Sequence, residues 1–242
     1  MRKLKDKVAL ITGAGTGIGK AIAHAYAAEG AKLVIGSRNR INLERTAAEL
    51  RKNYYATVTV VITDISNSGQ VRNLFRKTIS EHGKLDILVN NAGTAGYTPI
   101  EKMSLKQWNA IMNVNLTGVF LCTREAMKLM KAQRSGRIIN IGSISSQKPR
   151  LNQSAYGASK GGLVTFTRST ALEGRSHGIS ASILHPGLVD AADGPLDREG
   201  QEPSVSPNDI AETAVTVASL PENVNMFDTT VIPTKQIYVG RG

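Results

Sequence analysis

A chain of 242 residues with 41% hydrophobic and 20% charged residues has the size and composition of a globular domain with a real core, which excludes a disordered chain, a coiled coil and a collagen-like fibre. No apolar run reaches the roughly 18 residues needed to cross a bilayer, and a single cysteine, Cys122, allows no internal disulfide, which favours a cytoplasmic setting. The net charge of +11 raises nucleic acid as a partner, but aromatic residues are only 5% and no recognition motif accompanies the Lys and Arg, so a basic surface around an anionic small ligand is the better reading.

The first thirty residues imitate a secretion signal, with a basic start and an apolar stretch. Gly13, Gly15, Gly17 and Gly19 interrupt that stretch and Lys20 charges it, so the segment reads as mature protein. From there, short β-branched runs alternate with helix-length amphipathic segments as far as residue 220. The runs are Val8–Thr12, Lys32–Ile35, Thr57–Ile62, Ile87–Val89, Arg137–Ile141 and Ser180–Leu184. They are apolar throughout instead of alternating, as strands covered on both faces are, so the expected architecture is α/β: a doubly wound parallel sheet. No linker or repeat divides the chain, and residues 1–242 read as a single domain. Residues 186–207 depart from the rhythm, with four prolines, three glycines and the acids Asp190, Asp193, Asp197, Glu199 and Glu202. They read as a loop, with a lid at about 188–206. Ser206-Pro207-Asn208-Asp209 then opens a helix with a capping residue and a proline at its first position.

Thr12-Gly-Ala-Gly-Thr-Gly-Ile-Gly19 follows the first strand and opens a helix. Glycines there permit a tight turn and let backbone N–H groups at a helix N-terminus approach a pyrophosphate. The spacing is not the generic G-x-G-x-x-G, because Ile18 stands where its third glycine would be. Further along come Asn90-Asn-Ala-Gly93 after the fourth strand, Asn115 in mid-helix, Ser143 at the end of the fifth strand, and Tyr156-Gly-Ala-Ser-Lys160 at the start of the next helix. Tyr156 and Lys160 are four apart and share a helix face. An ammonium beside a phenol lowers its pKa, which predicts a Tyr156 hydroxyl able to exchange a proton with a carbonyl or alcohol oxygen. Ser143 can hydrogen-bond the same oxygen.

With these motifs in this order, the chain resembles the short-chain dehydrogenase/reductase family along about its whole length. The resemblance implies a Rossmann fold and a catalytic set Asn115, Ser143, Tyr156 and Lys160, in which Asn115 distorts its helix and holds a water linking Lys160 to solvent. It implies contacts to a dinucleotide from Gly13, Thr16, Gly17, Ile18, Gly19, Ser37, Arg38, Asp64, Asn91, Ala92, Gly93, Tyr156, Lys160, Pro186, Gly187 and Val189. At the end of the second strand Ser37 offers no acid to a ribose hydroxyl and Arg38 offers a planar charged fork, a pattern that suits the 2′-phosphate of NADP(H). Asp64 matches the family's adenine-contacting position, with helix capping as the alternative. Ala191 stands where the family often has a threonine, so the carboxamide would be held by backbone at Val189 or by another group. The implied reaction interconverts a ketone or aldehyde with a secondary or primary alcohol, and the ending Leu220-Pro-Glu-Asn-Val-Asn225 with Pro233-Thr-Lys-Gln236 resembles the branch that acts on serine and other 3-hydroxy acids. A 3-oxoacyl-[acyl-carrier-protein] reductase is the alternative, with Arg134 at one of its docking positions but His177 at the other, and a non-catalytic dinucleotide-binding regulator is an alternative of another class. The family implies a homotetramer or homodimer and a small-molecule substrate, with neither membrane nor nucleic acid as partner. The four histidines fit no metal spacing, and no metal is expected.

Overall fold

A computed structural model describes residues 2–190 and 203–236. Seven strands form one parallel sheet in the order β3-β2-β1-β4-β5-β6-β7. They are β1 (Val8–Thr12), β2 (Lys32–Ser37), β3 (Val58–Ile62), β4 (Ile87–Asn90), β5 (Gly136–Ile141), β6 (Ile179–Pro186) and β7 (Asp228–Val231). Between them run α1 (Gly17–Ala28), α2 (Arg40–Tyr54), α3 (Ser68–His82), α4 (Leu105–Met112), α5 (Val119–Gln133), α6 (Ser154–Gly174) and α7 (Pro207–Ala218).

Alternate side chains of each central strand feed two cores, as the pleat requires. Ala9, Ile11, Leu33, Ile35, Ile87 and Val89 face one side, packing with Ile22 and Tyr26 of α1 and Ala214 of α7. Leu10, Val34 and Leu88 face the other, packing with Leu74 of α3 and Cys122 and Ala126 of α5. Helix starts follow local chemistry. Asn39 and Asn67 cap α2 and α3, and Ser104 with Gln107 and Ser206 with Asp209 form reciprocal capping boxes on α4 and α7. The proline expected at the first position of α7 is there.

The sequence reading ended its pattern at residue 220 and so omitted β7. Asp228-Thr-Thr-Val231 is a four-residue edge strand with exposed and half-buried positions, too short to show a periodicity of its own. It becomes a strand by pairing with β6, in the register Ile183↔Asp228 to Pro186↔Val231. β2, β4 and β6 also run further than the apolar runs indicated, to Ser37, Asn90 and Pro186, because backbone pairing continues past the last apolar side chain. The sheet order reverses between β1 and β4, which opens a crevice at the carboxyl ends of the strands.

Candidate active site

The glycine turn lies at this crevice. Gly13 and Gly17 have φ of 70° and 53°, in the left-handed region where a side chain is strained. Gly19 has no room for one, since a Cβ there would run into the Asn91 amide and the Gly13 carbonyl. Two side chains lock the turn to the loop after β4. The Thr12 hydroxyl accepts from the N–H groups of Asn91 and Ala92, both at 3.1 Å, and the Asn91 amide donates to the carbonyls of Thr12 (3.0 Å) and Gly13 (3.2 Å). Thr16 precedes α1 without capping it by its side chain, so the first N–H groups of the helix are left for an anion.

Two cavities meet over this turn. The first, about 350 Å³, is bounded by Gly13, Thr16, Ile18, Ser37, Arg38, Asp64 and the Asn91-Ala92-Gly93 loop. The second, about 510 Å³, shares Ile18, Asn91 and Gly93 with it and adds Ser143, Tyr156, Lys160, Pro186, Gly187 and Val189. Gly17, Gly19 and Asn115 line neither; they shape the walls from behind. Ala191 and the lid acids Asp193, Asp197, Glu199 and Glu202 lie outside the described residues.

In the first cavity the Asp64 carboxylate accepts from the backbone N–H (2.9 Å) and hydroxyl (2.7 Å) of Ser66. These bonds, helped by the Arg38 charge, hold it below the usual carboxylate range. Asp64 is therefore not the helix cap; Asn67 takes that place. Arg38 is exposed at the rim.

In the second cavity the Ser143 and Tyr156 side chains line the same wall. The Lys160 ammonium is buried, donates to the Ile141 carbonyl at 2.7 Å and lies 5.8 Å from the centre of the Tyr156 ring. This corrects the expectation that Lys160 lowers the Tyr156 pKa. Burial raises the Tyr156 hydroxyl above its ordinary value; the nearby Ser143 hydroxyl opposes the rise and Tyr97 adds to it. Lys160, deprived of water, is itself brought down to about 8.

Asn115 is wholly buried in a π-helical stretch, Asn113–Gly118, that joins α4 to α5. Its amide takes the Thr94 N–H and gives to the Thr94 carbonyl, both at 2.8 Å, and gives to the Ser159 hydroxyl at 3.1 Å. It thus pins the loop after β4 to α6. One residue the sequence reading left without a role stands behind Ser143: His185 Nδ1 lies 2.9 Å from the Ser143 carbonyl and 3.2 Å from the Ser146 hydroxyl. The carbonyl can only accept, so Nδ1 carries the proton. No local pattern signals this contact, which crosses from β6 to the turn after β5.

The arrangement offers a groove for an extended anionic ligand ending at a paired tyrosine and serine beside a buried amine. Residues 7–199 match the model of the short chain dehydrogenase family. Over 190 residues, 78% of this chain and 76% of its relative, the sequence is 39% identical to a 3-oxoacyl-[acyl-carrier-protein] reductase of Synechocystis sp.. An uncharacterized oxidoreductase of Staphylococcus aureus is 36% identical over 96% of this chain and all of its own length. A metagenomic short-chain oxidoreductase solved in complex with NADP superposes with a TM-score of 0.85 at 30% identity, covering 96% of this chain and 99% of that one. The sequence match, the parallel seven-stranded sheet and the whole-chain superposition agree: this protein belongs to the short-chain dehydrogenase family of oxidoreductases.

Proposed function

We propose that the protein is an NADP(H)-dependent oxidoreductase that interconverts a ketone or aldehyde with an alcohol, using Tyr156 as general acid and base. The observation that carries this reading is that Ser143, Tyr156 and the buried Lys160 line one cavity at the end of a groove suited to a dinucleotide. The groove has an uncapped helix N-terminus for the pyrophosphate and the Arg38 guanidinium for a 2′-phosphate. The NADP held by the metagenomic relative supports that choice of cofactor. The cofactor supplies a hydride when reduced and accepts one when oxidised. Tyr156 gives its proton to the carbonyl oxygen in reduction and recovers it in oxidation, while Ser143 donates a hydrogen bond to the same oxygen. Lys160, held by the Ile141 carbonyl 5.8 Å from the centre of the Tyr156 ring, places a buried amine on the wall of the same cavity.

The Synechocystis relative favours a second reading, 3-oxoacyl-[acyl-carrier-protein] reductase. Arg134, which ends α5, lies against Ser176 with its guanidinium 3.5 Å from that carbonyl, so a basic surface adjoins His177. Turnover of NADPH with small ketones and aldehydes, compared with a carrier-bound β-ketoacyl thioester, separates the two. Tyr156→Phe tests both: turnover falls about 100-fold or more while NADPH still quenches or shifts protein fluorescence. Full turnover by Tyr156→Phe would remove Tyr156 as the acid, and no turnover by the wild type with any carbonyl would leave the binding regulator as the better account.

A further inference from the structure

The backbone pairing of β5 with β6 stops one residue short of Ser143. The Gly142 N–H donates to the Leu184 carbonyl at 2.6 Å, and beyond it the chain leaves the sheet. Ser143 stands in extended backbone at the head of a short helical turn, Ile144–Ser146. Its hydroxyl oxygen accepts from the Ser145 N–H at 3.1 Å, which leaves the hydroxyl proton to be donated elsewhere.

Three donors meet at the Ser143 carbonyl: the Ser146 N–H at 3.1 Å, the Ser146 hydroxyl at 2.7 Å and His185 Nδ1 at 2.9 Å. The first two belong to the turn and travel with it. Of the three, His185 alone ties the turn to the sheet. Its ring has little freedom, being 1% exposed and packed so closely on Gly142 that a Cβ there would come within 2.8 Å of Nδ1. On the far side Nε2 lies 3.3 Å from a carboxylate oxygen of Asp228 in β7, without the alignment of a hydrogen bond. Fixing a carbonyl fixes the peptide plane that contains it, and with it the Cα from which the Ser143 hydroxyl projects. The position matters, because a reacting group displaced by about 1 Å can lose about 100-fold in rate.

We propose that His185 is a positioning residue for the reaction: by donating from Nδ1 to the Ser143 carbonyl, it holds the Ser143 hydroxyl where it can donate to the reacting oxygen. His185 itself lines neither the cofactor groove nor the reacting cavity, so it acts through Ser143. The proposal rests on the carbonyl reductase reading and adds a residue to its machinery.

The test compares His185→Asn, His185→Gln and His185→Leu in the full-length protein, with NADPH saturating and a small ketone that the wild type reduces. The asparagine amide nitrogen can take the place of Nδ1, the glutamine nitrogen reaches towards that of Nε2, and leucine offers no donor. His185→Leu should lower kcat about tenfold, as leaving a buried acceptor short of a donor implies, while the KM of the ketone and the affinity for NADPH stay near those of the wild type. His185→Asn should recover most of that loss, and His185→Gln should not. Urea midpoints of the variants show whether kcat merely follows stability, and the Asn–Gln comparison stands even if the leucine variant does not fold. A role in filling space predicts the reverse order, since asparagine leaves the larger void. A kcat for His185→Gln equal to or above that of His185→Asn, or a wild-type kcat in His185→Leu, would overturn the proposal while leaving the carbonyl reductase reading standing. Absence of turnover by the wild type with any carbonyl would overturn both.

Discussion

At the residue scale, Lys160 within the site has its chemistry changed by burial. It is almost fully buried, and loss of hydration brings its pKa down from 10.5 to about 8. Between these values the unfolded chain holds a proton that the native protein does not, so native stability rises with pH across the window and falls again as pH drops towards 8. We expect the wild type to gain stability relative to Lys160→Met between about pH 8 and pH 10.5, read from urea unfolding at a series of pH values. Parallel profiles for the two proteins would show that the burial does not act on Lys160. Arg38 illustrates the opposite case, an exposed charge whose effect depends on the ligand. Arg38→Asp replaces a phosphate contact with repulsion and should shift the ratio of kcat/KM for NADPH over NADH by about 10- to 100-fold towards NADH. An unchanged ratio would count against the role given to Arg38.

At the element scale, two irregular stretches hold the regular ones in place. The π-helical stretch Asn113–Gly118 inserts Asn115 under the loop after β4, and the loop's Thr94 backbone, which would otherwise be short of partners, completes the pairing. At the opposite end of the sheet, Arg137 of β5 is 7% exposed, and its guanidinium donates to the carbonyls of Leu220, Pro221 and Val224 at 3.2–3.3 Å. Those carbonyls belong to the segment that leads from α7 to β7. One side chain thus satisfies three acceptors and ties the seventh strand's approach to the centre of the sheet. Arg137→Met should lower the unfolding free energy by about 1–3 kcal/mol, the usual effect of leaving buried acceptors unpaired. The measurement is the urea midpoint with the slope unchanged, and an unaltered midpoint would mean that water replaces the guanidinium at these carbonyls.

At the scale of the whole molecule, α5 and α6 lie side by side beyond the edge of the core and leave an apolar groove between them. Phe120 and Phe166 meet edge to face with centroids 6.4 Å apart, Arg124 stacks 5.5 Å from the Phe120 ring, and Met127 completes the floor. Phe120 is 43% exposed and Leu172 on the same helix pair 62%. A closed two-fold assembly of like subunits would bury such a surface in pairs. Light scattering should give a multiple of the 25.9 kDa chain mass, and Phe120→Glu should reduce it. A wild-type protein of 25.9 kDa would refute the expectation.

The sequence alone determined the fold class, because strands buried on both faces are apolar throughout and alternate with amphipathic helices whatever the details of their packing. The glycine turn, the strand-end serine and the tyrosine–lysine pair one helical turn apart are local patterns legible in the chain, and with the family resemblance they named Ser143, Tyr156 and Lys160, which line one cavity. What only the tertiary structure decided are the relations between segments distant in the chain. β7 exists because β6 offers it a register, and Arg137 finds its partners more than eighty residues away. His185 supports Ser143 from a neighbouring strand. The Tyr156 hydroxyl illustrates the difference at one atom: spacing placed Lys160 beside it and predicted a lowered pKa, whereas folding removed water from both groups and turned the ammonium to the Ile141 carbonyl, so that burial, which no spacing records, set the direction of both shifts.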